Sequence, residues 1–398
     1  MTVPPHKNVR ILTWFNFFTD FRLYAPIAII YFAKVTDSYA LGMSIFSVTM
    51  ISSAMFEVPT GIYSDMIGRR KTVILGAAAA VVYSVFYAIG QSYWMLLIGA
   101  LFEGLSRSFY SGNNDALLHD SLAENRDEHN YDTYLGLVSK MFQIALAVSA
   151  ILGSILASFS FPLIMWLSVI PQLLCLLLSF KLTEPAIDTK QSGNIFVHLR
   201  SAYHNFISNR KLRLLSITSI LGYGFGEASY LFQSAFYNTI WPVWAIGIAK
   251  TLSNVGAALS FHFAGKFIKR FGGLKILIID NVYNRIVNIF STAFPTVLSP
   301  LLMSTTSVFY GITSVTKNSL MQREFRSTER ATMGSLNSFA GSIFFGILAY
   351  LLGFAADRVS PARALMGLQM VQFINLYFYW KLFKHDPGPG PKRLIPVT

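Results

Sequence analysis

The chain has 398 residues, of which 53% are hydrophobic, 15% aromatic and only 13% charged, with a mean hydropathy of +0.49. A soluble domain carries roughly twice that charge, so the composition excludes an ordinary water-soluble enzyme and predicts a polytopic membrane protein. The net charge of +13 does not signal nucleic acid, because the basic residues are dispersed over short loops rather than gathered on one face.

Crossing the hydrocarbon takes about twenty residues, and twelve stretches qualify: 9–34, 41–64, 72–91, 93–117, 132–158, 161–182, 212–237, 241–264, 274–293, 297–321, 330–355 and 361–383. They are called spans 1 to 12. Span 1 runs past twenty residues, holds Asp20 and Arg22 and lacks a small-residue cleavage site, so it reads as a retained helix and not a signal peptide. Alternating ten-residue segments of barrel type are absent from the sequence.

Spans 2 and 3 are joined by a tight charged turn in which Gly61, Asp65 and Gly68 fall at i, i+4 and i+7, followed by Arg69-Arg70-Lys71. A helix continued through them would place the three on one face, with a carboxylate between two close-approach glycines. A weaker copy, Gly265 to Gly273, lies 204 residues further on, with Lys269 in the place of Asp65.

The connection 183–211 is the one long link. It is polar at first and then amphipathic, with Ile195, Phe196, Leu199, Tyr203, Phe206 and Ile207 on one side, which predicts a surface-lying helix. The expected domains are therefore a six-helix bundle over 1–182, the linker, a second bundle over 212–384, and a disordered tail over 385–398 that begins His385-Asp386-Pro387-Gly388. With the N-terminus in the cytoplasm, 23 of the 32 Lys and Arg lie on inside segments and only Lys34, Arg358 and Arg363 outside. The positive-inside bias then predicts that both termini and the linker are cytoplasmic.

The spacing Gly61, three residues, Asp65, two residues, Gly68-Arg69-Arg70-Lys71 resembles the loop signature between helices 2 and 3 of the major facilitator superfamily of secondary transporters. The parallel repeat of six spans supports the same resemblance over nearly the whole chain. It implies an all-α integral membrane protein of twelve transmembrane helices in two pseudo-symmetric six-helix bundles. It further implies that spans 1, 4, 7 and 10 line a central cavity, that 2, 5, 8 and 11 form the seam between halves, and that 3, 6, 9 and 12 face lipid. Asp120 resembles the acid that relatives place opposite the signature arginines, so Asp65, Arg69 and Asp120, with Gly61, Gly68 and Arg70, are expected to form a cytoplasmic gate. An export-associated pattern, an arginine of span 4 followed three residues later by Gln-Gly, is absent, since Arg107 precedes Ser108-Phe109-Tyr110-Ser111-Gly112.

A charge at bilayer depth costs about 2.5 to 3.5 kcal/mol on insertion scales, so each one is a candidate site. Asp20, Glu103 and Glu227 fall near mid-span on expected cavity helices, as do Arg22 and Arg107. Glu103 and Arg107 stand at i, i+4 and can pair on one face without a ligand. Lys250 and Lys140 lack partners within their spans and read either as interhelical salt bridges or as anion contacts. Asp280 and Arg285, with Asn281, Asn284 and Asn288, read as packing groups, and Glu57 as a seam residue. Glu227, shifted back by the repeat, falls on Leu23 beside Arg22, so the two are expected at similar depth.

No metal cluster, nucleophile elbow or phosphate loop is present in the sequence, and the lone Cys175 excludes an internal disulfide. Neither enzymatic activity nor a cofactor is expected. The sequence predicts a monomeric, multi-pass transporter of the plasma (inner) membrane, with a small-molecule substrate and protons as partners and the lipid bilayer around it. Proton coupling is expected at Glu227, then Asp20 and Glu103, and substrate contact at Arg22, Arg107 and Lys250. Export of a small amphipathic organic compound is the first reading. Import of an organic anion, or a non-transporting sensor on the same fold, are the others.

Overall fold

The computed structural model describes residues 7–186, 206–325 and 330–385. The amphipathic face expected around Ile195–Tyr203 and the tail from Asp386 onward lie outside the described residues. All twelve expected spans fall on helix, eight of them continuous: Tyr39–Ile67, Arg69–Ile89, Tyr131–Ala157, Phe161–Phe180, Arg210–Tyr237, Val243–Phe271, Gly273–Ala293 and Arg330–Arg358. Among the described residues, five helices are by themselves long and apolar enough to cross a membrane, within spans 2, 3, 5, 6 and 11. The others carry charges or are interrupted.

Interruption is the main departure from expectation. Span 1 is helical over Lys7–Asp20, turns through a 3-10 segment at Ala25–Ile27 and resumes at Ala28–Thr36. Pro26 in that turn has no N–H and biases the residue before it away from helix. Span 4 breaks between Tyr93–Tyr110 and Asn113–Glu124, span 10 between Ser299–Ser304 and Tyr310–Glu324 through a 3-10 turn, and span 12 between Pro361–Val371 and Phe373–His385. Three of these four spans are ones the family resemblance assigns to the cavity.

The helix of span 2 runs through Gly61 and Asp65 but stops before Gly68, which has φ +99° and opens the next helix directly. Its partner in the repeat, Gly272, has φ +81° at the same junction between spans 8 and 9. A side chain is strained in both, so the repeated glycines follow from backbone geometry. At the opposite end serines cap the helices: Ser38, Ser92, Ser160 and Ser360 each accept the backbone N–H three residues on, relieving unsatisfied first-turn donors.

The seam expected between the halves is present, with span 2 packed along span 11 and span 5 along span 8. Its cross-bonds lie toward the serine-capped end: Ser47 to the Gly346 carbonyl at 2.7 Å and Thr251 to the Ala147 carbonyl at 3.3 Å; at the same end Ser234 of span 7 bonds the Pro26 carbonyl of span 1 at 2.6 Å. Toward the signature loop the seam helices separate. Beyond Ala54, span 2 keeps only Thr60 and Ser64 buried among its described side chains, while Met55, Val58 and Met66 are 62%, 59% and 77% exposed. Span 11 has no buried position from Gly334 to Ala340 but is regularly buried from Gly341 to Ala356. The molecule is closed at the serine-capped end and open at the signature-loop end.

Candidate transport site

The break in span 1 sets the site. Asp20 ends the first helix, and the irregular stretch Phe21–Tyr24 carries Arg22 and presses the Leu23 carbonyl onto Gly153 of span 5. A Cβ on Gly153 would lie 1.8 Å from that oxygen. Irregular backbone at bilayer depth is tolerated only where it is buried in protein or lines a cavity, and here it is buried against span 5 while offering its charges inward.

Arg22 spans the gap to span 4. Its Nη1 donates to Glu103 Oε1 at 2.7 Å and its Nη2 to Asp20 Oδ1 at 3.2 Å. The same Glu103 oxygen accepts Nε and Nη2 of Arg107 at 3.2 and 3.0 Å, which is the expected i, i+4 pair. Glu103 Oε2 accepts from Tyr87 at 2.9 Å and from Thr49 at 3.4 Å. Glu103 is 6% exposed, so this carboxylate is desolvated and saturated with donors, the condition under which a buried charge is tolerable. Two carboxylates and two guanidiniums cancel formally. The Arg107 side chain, 41% exposed, is the cluster's face toward open space.

Across from it stands span 7. Glu227 is partly exposed and, among the described residues, has no direct hydrogen bond or ion pair; the charges acting on it are Arg107 and Lys250. Glu227 and Arg22, expected at similar depth, do not pair: Arg22 is engaged by Glu103 and Asp20 of its own half. Lys250, expected in the substrate cavity, is 3% exposed. Its Nζ donates to the Tyr230 carbonyl at 2.5 Å and sits 3.7 Å from the Tyr230 ring centroid and 5.9 Å from that of Tyr237. An ammonium held against π faces is stabilised without a carboxylate. Lys140 is exposed, Glu57 lies 3.5 Å from the Ser111 hydroxyl, and Asp280 bonds Asn284.

At the signature loop, Arg69 Nε lies 3.8 Å from Asp120 Oδ2 and Arg69 Nη1 donates to Ser64 at 3.1 Å. Ser64 donates in turn to Asn113 at 2.6 Å, and Asn113 to the Arg69 carbonyl at 3.1 Å. The Asp65 side chain lies outside the described residues. Among the described residues Gly61 has no close neighbour, whereas a Cβ on Gly68 would meet the Glu184 carboxylate at 2.8 Å. Glu184 accepts the N–H groups of Arg69 and Arg70 at 2.6 and 2.8 Å. Sequence reasoning missed Glu184, Asn113, Tyr87 and the aromatic seat of Lys250, and it missed Asp357 at the closed end. The position of Glu184 two residues after span 6 was the available signal for the first.

Two helical halves meet along spans 2, 5, 8 and 11, with charges on interrupted helices between them, an arrangement suited to passing a polar solute across a membrane. The chain belongs to the Major Facilitator Superfamily, whose family model matches residues 11–349. It is 22% identical to an uncharacterised MFS-type transporter of Methanocaldococcus jannaschii, over 88% of this chain and 93% of that one. It is 25% identical to a Na+, Li+, K+/H+ antiporter of Planococcus maritimus, over 54% and 53% of the two chains. The crystal structure of the nucleoside transporter NupG superposes with a TM-score of 0.78 at 13% identity, over 95% of this chain and 99% of that one.

Proposed function

We propose that the protein is a proton-coupled secondary transporter that exports a small amphipathic organic compound across the plasma membrane, alternating about the cavity between Arg107 and Glu227. The observation that carries this reading is the contrast between the carboxylates. Glu103 is locked by two arginines, a tyrosine and a threonine, whereas Glu227 is partly exposed and has no direct partner among the described residues. A group whose charge is compensated only from a distance changes protonation when a neighbouring charge moves or is screened. Substrate arriving at Arg107 alters the field at Glu227, and that is a coupling mechanism. An antiporter among the relatives supports the proton-exchange reading.

The orientation follows the Lys/Arg distribution, with the signature loop inside. The open end is then cytoplasmic and the conformation inward-facing. Uptake of an organic anion is the second reading, favoured by the exposed Arg107 guanidinium. Flux into proteoliposomes, measured against a panel of organic cations, neutral amphiphiles and organic anions with and without a pH gradient, tests both. Accumulation driven by an inside-acid gradient supports exchange for protons. Anion uptake driven by an outside-acid gradient supports the second reading, and flux indifferent to pH for every compound overturns both.

A further inference from the structure

Where span 6 leaves the bundle, a cavity of about 570 Å³ opens between the starts of spans 1 and 3 and the end of span 6. Four of its lining side chains are cationic. Lys7 and Arg10 stand at i, i+3 on the first turn of span 1, Arg70 on the first turn of span 3, and Lys181 at the end of span 6. One carboxylate lines it, that of Glu184, and it is already engaged by the backbone N–H groups of Arg69 and Arg70, so it offsets the helix N-terminus more than the side chains.

The walls are built. Arg70 Nη2 donates to the Phe180 carbonyl at 3.1 Å, while its buried Nε has no partner among the described residues. Asn8 and Thr183 exchange hydrogen bonds at 2.9 to 3.0 Å, fixing the exit of span 6 against span 1. The outer side is apolar: Leu173, Leu177 and Phe180 form one stripe, 43%, 60% and 54% exposed, and Trp14, one turn beyond Arg10, is 48% exposed. Tryptophan at such a level is characteristic of the membrane–water boundary.

Cations inside the cavity and an uncovered apolar stripe at its edge call for a ligand with an anionic head and hydrocarbon chains. We infer that this cavity binds the phosphate headgroup of an anionic phospholipid, with its acyl chains along Leu173, Leu177 and Phe180. Basic pockets between helices on the cytoplasmic side have the chemistry for such headgroups, and the volume suits one. The bound lipid clips the exit of span 6 to spans 1 and 3, steadying the segment that leads into the linker. The inference is independent of substrate and of coupling.

The test uses the purified full-length protein in uncharged detergent, with phosphatidylglycerol retention read by native mass spectrometry and thermal shift. Phosphatidylcholine and inorganic phosphate are the comparison ligands. Wild type should retain phosphatidylglycerol, and Arg10→Gln/Lys181→Gln, which spares the Arg70–Phe180 bond, should bind it about tenfold more weakly. Lys269→Gln/Arg270→Gln, with the same charge lost elsewhere, should bind like wild type. Equal retention of phosphatidylcholine, or equal weakening in both double variants, overturns the site. Saturation by inorganic phosphate at the concentration that suffices for phosphatidylglycerol overturns the lipid as its occupant.

Discussion

The carboxylate of Asp357, at the end of span 11, accepts the backbone N–H of Tyr39, at the start of span 2, at 2.6 Å across 318 residues of sequence. It also accepts from Ser38 Oγ at 2.6 Å and from the Ala40 N–H at 3.0 Å. One acid of the second half thus caps the first turn of a helix in the first half, where the partial positive charge of the helix N-terminus favours it. These bonds join the two halves at the shut end.

Asp357→Ala should therefore bias the molecule toward opening at the serine-capped end. An anion at an exposed helix N-terminus contributes about 1 kcal/mol, roughly a fivefold change in the ratio of the two states. Spin-label distances between Thr36 and Val359 would report it. A distance distribution identical to that of the parent protein would show that the contact does not hold the gate.

Glu103 plays the opposite part, binding one half together. Glu103→Gln removes the charge that Arg22 and Arg107 share, and breaking the buried Arg22 pair from one side costs about 3 kcal/mol. The expected result is a clearly lower Tm in detergent, with substrate exchange retained in the protein that stays folded. An unchanged Tm with uncoupled transport would instead make Glu103 a proton carrier.

The architecture was legible because hydropathy and the 204-residue repeat are properties of the chain itself, and Gly68 and Gly272 proved to share a positive φ. The Glu103–Arg107 pair was legible for the same reason, being local at i, i+4. The Arg22–Glu103 contact was not legible because the two lie 81 residues apart, and the repeat argument compared Arg22 only with span 7. The unwinding after Asp20 had signals in Pro26 and in two charges inside one span, but continuous hydropathy concealed it. Asp357 and Glu184 escaped notice because both lie just past the expected ends of their spans and bond chiefly to backbone N–H groups, which carry no sequence signature.

Gly153 is predicted to be intolerant of any side chain. With the Leu23 carbonyl 1.8 Å from an ideal Cβ, Gly153→Ala must push the unwound segment and Arg22 inward, and overpacking of this kind costs about 1 to 3 kcal/mol. Thermal stability and transport should fall together. Gly136→Ala on the same helix, with open space at its Cβ, should change neither.

The signature-loop contacts lie away from the cavity, so their loss should be kinetic. Asp120→Asn weakens the 3.8 Å contact with Arg69 and should slow net transport several-fold while leaving substrate affinity within about twofold, and Asp65→Asn should behave alike. Separate measurement of equilibrium binding and initial flux decides the matter. Affinity reduced as much as rate would place the two acids in the binding site.

Glu227 carries the most consequential prediction. The charges acting on it are Arg107 and Lys250, and Lys250 is committed to the Tyr230 carbonyl and ring, so Arg107 is the partner whose exposure lets a substrate intervene. Replacing the acid by its neutral isostere fixes the site in one charge state. Glu227→Gln should abolish accumulation driven by a pH gradient yet preserve exchange of labelled for unlabelled substrate, because exchange needs the conformational cycle only with substrate bound. A purely structural role would do the reverse, lowering Tm and leaving coupling intact. Proton flux, counterflow and Tm measured on the same purified variant separate the two, and full pH-driven accumulation by Glu227→Gln would remove this residue from the coupling pathway.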